Sequence, residues 1–497
     1  MTSTADRAAI AGSGRTRAVG WTTLLAHEWR LLARDRVLHV AVAVFAAVVI
    51  GALVTGARWT AAQRTTIAAL HAEEDSVWAA ARRTLDTIPA DAPRPDRFSR
   101  DPRVPFHVGQ RLGRVATLDP APLAALAVGQ SDLQPSYYRV TTGPRQAMLQ
   151  REELEHPVAL LTGRLDLAFV VTVLLPLLIG ALCHGLIAGE REDGTLALVA
   201  AQPVSLRRVV LAKVLVRAAV VGALAIALVA VGLAVVGVPL GAPGTVSLVA
   251  AWFVVVLAQA TLWFGLAVLI GARAPSAAAG TLVLAASWLV LVIVVPVLTG
   301  AVAQARWPAP SRAALITETR ATSALVNARG DSVLGRYLVD HPELTRDAAP
   351  GAGQDFVART LSVQFELDTT LAPRLSAFDA QVARQQEAVE RARVLSPALL
   401  VQGMLESLAG TDGSRWRAFR DGVVTFHGQW RTAIMRHVLR DDMLDGRALA
   451  ALPVPPSAQV DAPLSRIGTS LMVLLAQAGL VWAAALMALR RLRPVAA

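Results

Sequence analysis

Apolar residues in this chain gather into six blocks, at 37–57, 167–188, 218–238, 246–270, 277–302 and 467–489. Each is close to the ~20 residues that a helix needs to cross ~30 Å of hydrocarbon. Two long stretches of mixed composition, 58–166 and 303–466, interrupt the series. In the second, Trp416, Phe419, Val423, Phe426, Trp430, Ile434 and Val438 recur at helical spacing and make one apolar face. Residues 376–395 form another periodic run, stopped before Pro397. The pattern predicts an all-α integral membrane protein with six transmembrane helices and two mainly helical insertions, each large enough for a small core of its own.

Charge placement orients the chain. Arg34 and Arg36 precede the first block, and Arg191, Arg207, Arg208, Lys213 and Arg217 lie between the second and third. Arg273 lies between the fourth and fifth; Arg490, Arg491 and Arg493 follow the last. These positions fall on one side, whereas the opposite short loop, 238–244, carries no charge. By the positive-inside rule, both termini are cytoplasmic and both insertions extracytoplasmic. The expected organisation is a leader at 1–36, a first span at 37–57, an outer segment at 58–166 and a second span at 167–188. A cytoplasmic loop with the start of the third span follows at 189–217. The spans at 218–238, 246–270 and 277–302, the outer segment 303–466, the last span 467–489 and a tail at 490–497 complete it.

Composition agrees: 54% of residues are hydrophobic and 17% charged, too apolar for an ordinary soluble enzyme. The net charge of +11 lies beside apolar blocks and not in one basic stripe, so it reports membrane topology and not nucleic-acid binding. The first block, behind a long polar leader, reads as an uncleaved anchor and not a secretory signal. In that leader, Trp21, Leu25, Trp29 and Leu32 share one side with Arg30 and Arg34 off it. This suits a helix lying in the lipid interface or a simple extension of the first span.

Catalytic chemistry is missing from the pattern. The chain contains no G-x-x-x-x-G-K-[ST], H-E-x-x-H or G-x-S-x-G sequence. It therefore has no P-loop with which to hold ATP, and no cofactor is expected. The single Cys183 beside His184 offers too few metal ligands. The span cores carry no Asp, Glu, Lys or Arg, only polar residues such as His184, Gln259 and Gln477, which disfavours an ion-coupled carrier. Pro176 and Pro296 should kink their spans.

The densest polar signal is the loop at 189–217. Glu190, Arg191, Glu192 and Asp193 should end the second membrane helix in water, Gly194 break it, and Thr195 cap a short helix that Pro203 stops. Ser205 should cap the next helix. A short exposed helix held between two spans suits docking to a cytoplasmic partner, and equally suits a solvated connector.

The order E-R-E-D-G-T-L at 190–196, Q-P-V-S at 202–205 and L-A-K at 211–213 resembles the coupling segment of ABC-2 type exporter permeases. The leader HEWRLLARDR at 27–36 resembles the interfacial helix before their first span. The runs at 122–140, 156–171 and 395–412 resemble a subfamily with two large outer insertions, catalogued as containing a domain of unknown function. The resemblance implies a multi-pass permease of the bacterial inner membrane that pairs with a second permease. ATP would be bound by separate cytoplasmic ATPase subunits. It places Glu190, Arg191, Glu192, Gly194, Thr195, Leu196, Pro203 and Lys213 at the ATPase-coupling positions, and Trp21, Leu25, Trp29 and Leu32 on the interfacial helix. The other class of function compatible with this loop is a mechanotransmission or assembly protein that moves its outer domains with a partner's ATP hydrolysis.

Overall fold

The computed structural model describes residues 20–491 except 90, 130, 150–164, 203, 239, 309–310, 343–355 and 457–462. Five helices in it are long and apolar enough to cross a membrane: Arg36–Thr87, Leu206–Ala234, Thr245–Arg273, Ala277–Arg306 and Leu464–Arg491. They take up the first, third, fourth, fifth and sixth apolar blocks. The second block forms a shorter apolar helix, Leu167–Leu182, about 24 Å long at 1.5 Å per residue. The chain is an all-α membrane protein, with five candidate spans and one shorter apolar helix among the described residues.

Asp35 starts the first span by accepting hydrogen bonds from the Val37 and Leu38 amides. The helix does not stop at Ala57. It runs unbroken to Thr87, 52 residues in all, so that one rod belongs to both the bundle of apolar helices and the domain that residues 58–166 help to build. The fourth span is the most enclosed, with Trp252, Val255, Gln259, Trp263 and Val268 buried between its neighbours.

At each of the two prolines expected to kink a span, the structure has a π-helical turn just before the proline. Val170–Leu174 precedes Pro176, and Leu289–Val294 precedes Pro296. Proline brings no amide hydrogen to the ladder, so the preceding turn widens. Carbonyls of these turns find partners elsewhere: the Trp288 indole donates to Val173 O (2.9 Å) and the Ser396 hydroxyl to Leu291 O (2.7 Å). Such pairing is what non-ideal backbone needs where water is scarce.

The two insertions do not build separate cores. Trp78, Val108, Tyr138 and Val140 from the first share one cluster with Leu334, Leu361, Phe419, Val423, Phe426, Trp430 and Ile434 from the second. The expected apolar stripe on Gly413–Arg440 is this core, although Trp416 at its edge is only partly buried. Trp78 meets Trp430 edge to face at 6.3 Å, and its indole donates to Gly113 O. Two short strands, β1 (Arg114–Thr117) and β2 (Tyr137–Val140), pair antiparallel here with Arg114 opposite Val140; the helical expectation did not include them.

A third layer ties this domain to the bundle. The helix Pro397–Ala409 buries Ala398, Leu400, Val401, Met404, Leu405 and Leu408 in the same cluster as the spans. Beside it the irregular segment 121–128 is buried almost throughout and packs on the first span at Gly56, where a β-carbon would stand 2.0 Å from Ala125 O.

Candidate functional site

The second span leaves its helix at Cys183, and Gly185 turns with φ +65° before a short helix, Ala188–Glu192. The membrane helix therefore ends earlier than the acidic run that should have ended it. Gly194, at φ +69°, turns the chain into the helix Thr195–Ala200, after which Leu206–Val236 begins behind Ser205. Neither Thr195 nor Ser205 caps its helix with its side chain; the Thr195 hydroxyl instead donates to Glu190 O (3.1 Å). Pro203 lies outside the described residues.

Four charged residues of this loop, Glu190, Arg191, Lys213 and Arg217, turn toward neighbouring helices. Lys213 Nζ lies 2.9 Å from Glu190 Oε1 and 3.0 Å from Oε1 of Glu28, a buried carboxylate on the helix Trp21–Leu32. Arg217 Nη1 stands 3.7 Å from the other Glu28 oxygen, while its Nε donates to Leu182 O (2.7 Å). Two carboxylates and two cations thus form one neutral group below the spans. Arg191 donates to the last carbonyls of the fourth span, Ala274 O at 2.6 Å and Ala272 O at 3.2 Å, where a cation also suits the helix dipole. Glu192 Oε2 accepts from the Ala277 amide (3.1 Å) at the start of the fifth span.

What the loop leaves outward is small and mixed. Leu198 is 69% exposed, with Glu192, Asp193, Gly194, Thr195, Ala197, Ala201, Gln202, Ser205 and Arg208 also exposed. Leu196 is 5% exposed, so its burial is already complete within the chain, and Val199 is half-buried.

The leader helix is rotated from its expected face. Leu24, Leu25, Glu28 and Leu32 turn toward the protein, while Trp21 and Trp29 are exposed, an arrangement that suits indoles at a lipid surface. Glu28 was not legible as a site residue, because a carboxylate in a polar leader looks like solvated surface. The one available signal was Lys213, the only lysine among 48 basic residues.

Two further buried polar groups lie at the junction with the outer domain. Asp166 accepts from the amides of Val128 (2.8 Å), Gly129 (3.0 Å) and Phe169 (2.7 Å), and burial nevertheless pushes its carboxyl above the usual range. Glu406 accepts from Gln402 Nε2 (2.7 Å), and Gln402 Oε1 takes the Thr172 hydroxyl of the second span (3.2 Å). Burial, with Asp166 and Asp412 nearby, pushes Glu406 up to about 7. Among the described residues no group of three or more His, Cys, Asp or Glu could hold a metal ion.

Residues 22–331 match the family model described as ABC-2 family transporter protein, and residues 312–454 match a domain of unknown function (DUF3526). No curated protein and no solved structure matches the chain.

Proposed function

Because this chain belongs to the ABC-2 transporter family, we propose that it is a permease subunit driven by separate ATP-binding subunits, exporting a substrate across a bacterial cytoplasmic membrane. The observation that carries the reading is the loop at 189–217. Glu190, Arg191 and Glu192 hold it against the helices of the third, fourth and fifth spans, and Leu198 stands outward on it. An exposed leucine held outward offers apolar area that a protein cleft can bury. The chain itself has no phosphate-binding loop, so hydrolysis belongs to a partner.

In this reading 58–166 and 303–466 face outward, the bundle pairs with a second permease, and Trp21 and Trp29 contact lipid. Docking puts the loop, and with it the ends of the third, fourth and fifth spans, under the ATPase's control. The second reading, in which the partner's hydrolysis moves the outer domain without a transported substrate, is favoured by one feature. The helix Arg36–Thr87 passes unbroken from the membrane bundle into the outer core and can carry displacement between them.

The test is purification of the tagged full-length chain from its native membrane. An ATP-hydrolysing subunit should accompany it, and Leu198→Asp should remove that subunit while leaving the yield of permease unchanged. In intact cells an impermeant thiol reagent should label a cysteine replacing Ser76 and not one replacing Ser205. Purification without any ATPase, retention by Leu198→Asp, or reversed labelling would each overturn the reading.

A further inference from the structure

The coupling loop is joined to the second span through turns and to neighbouring helices by ion pairs and hydrogen bonds. Residues 183–187 lie outside the α-helix, with Gly185 in the left-handed region. Displacement applied at Leu198 therefore has no continuous helix by which to enter the second span. It has a buried ionic group instead. Glu190 leaves the loop, Lys213 stands on the third span's helix, and Glu28 stands on the helix Trp21–Leu32, with both contacts at about 3 Å.

We infer that Glu28 is a positioning residue of the coupling apparatus, and that Lys213, by holding Glu28 and Glu190 at once, carries movement of the loop to the interfacial helix and the third span. This inference rests on the loop being the docking site for the ATPase.

The choice of residue at 213 supports it. Every other basic residue in the chain is arginine. A guanidinium is a planar fork matched to one carboxylate, whereas an ammonium fans three donors from a single point and can serve two carboxylates arriving from different elements. Lys213 does the latter while 7% exposed, with Glu28 at 5%. Arg217 completes the charge balance and fastens the last turn of the second span through Leu182 O. A buried, hydrogen-bonded set of this kind resists separation, because parting one member strands a charge away from water. The three elements should then move together.

The test uses the full-length chain in complex with the ATPase that purifies with it, in a Cys183→Ala background. Nitroxide labels are placed singly at Thr23 on the interfacial helix and Ala197 on the loop, both exposed. Mobility is read before and after trapping with MgATP and orthovanadate. Both labels should respond in the parent chain. Glu28→Gln should keep the Ala197 response and the bound ATPase, and cut the Thr23 response by about five-fold or more. Lys213→Arg, which keeps the buried charge, should do the same; restoration by arginine would indicate charge balance alone and overturn the inference. An unchanged Thr23 response in both variants, or a parent chain in which Ala197 responds and Thr23 does not, also overturns it. A parent chain in which Ala197 itself is silent overturns the docking reading, and this inference falls with it.

Discussion

Two buried residues outside the spans are shifted by burial in opposite senses, Glu406 upward and His427 downward. Glu406 sits at the junction of the outer domain with the bundle, facing Asp166, Arg393 and Asp412, with a folded value of about 7 against an ordinary 4.5. Its carboxyl stabilises the junction most when protonated. That contribution is complete below the ordinary value and is lost as pH rises through about 7. His427, in the outer core, is held down to about 4 by burial and by Arg431 and Arg145, while its Nε2 contacts Gly143 O (2.8 Å). Neutral His427 suits the fold, so its contribution is complete above 6.5 and is lost as pH falls toward 4. Amide exchange, corrected for intrinsic rate, should show 397–409 and 121–129 opening between about pH 6 and about pH 8. The segment 423–435 should open only below about pH 6. Glu406→Gln should abolish the first change and leave the second. A single transition common to both segments would refute the assignment.

At the scale of elements, the apolar blocks were legible because a membrane helix needs one long run and little else. The stripe from Phe419 to Val438 was equally plain, since its spacing repeats over several turns. Partnership was less so. The sequence pattern places Trp21, Leu25, Trp29 and Leu32 on one side, yet Glu28 turns inward because Lys213, 185 positions away, neutralises it. The enclosed helix Pro397–Ala409 was hidden by its length, which is too short for a span and ordinary for a soluble core. The docking of segment 121–128 depends on Gly56, a residue that looks interchangeable with alanine in an apolar helix. It is not, because Ala125 O occupies the space a β-carbon needs. Gly56→Ala should therefore lower the stability of the purified protein by roughly 1–3 kcal/mol, as overpacking does. Gly51→Ala, on the same helix with nothing within 4 Å, is the control and should be neutral or slightly stabilising. Equal effects of the two would show that helix propensity and not the contact at Ala125 decides.

For the whole molecule, the shared outer core changes what the two insertions are. Neither can fold around its own residues, because Trp78 and β2 come from one and Trp430, Ile434 and Leu361 from the other. The chain between them runs through the apolar helices from Leu167 to Arg306, so the shared core can close only after those have been made. Its attachment is also double: the rod Arg36–Thr87 enters the core through Trp78, and Pro397–Ala409 descends from it into the bundle. Trp78 is 2% exposed, stacks edge to face on Trp430, and carries the Arg114 guanidinium 3.6 Å from the centre of its ring. Trp78→Ala should then cost about 3–5 kcal/mol, the usual range for emptying a buried aromatic site. The consequence should spread by contact and not by sequence. Amide protection should fall across 356–371 and 419–439, which are hundreds of residues distant in the chain, while the fourth span, Thr245–Arg273, keeps its protection. Loss confined to residues near Trp78 would mean that the second insertion holds a core of its own, and the rod would then end in a loosely attached cap and not in a domain it can move.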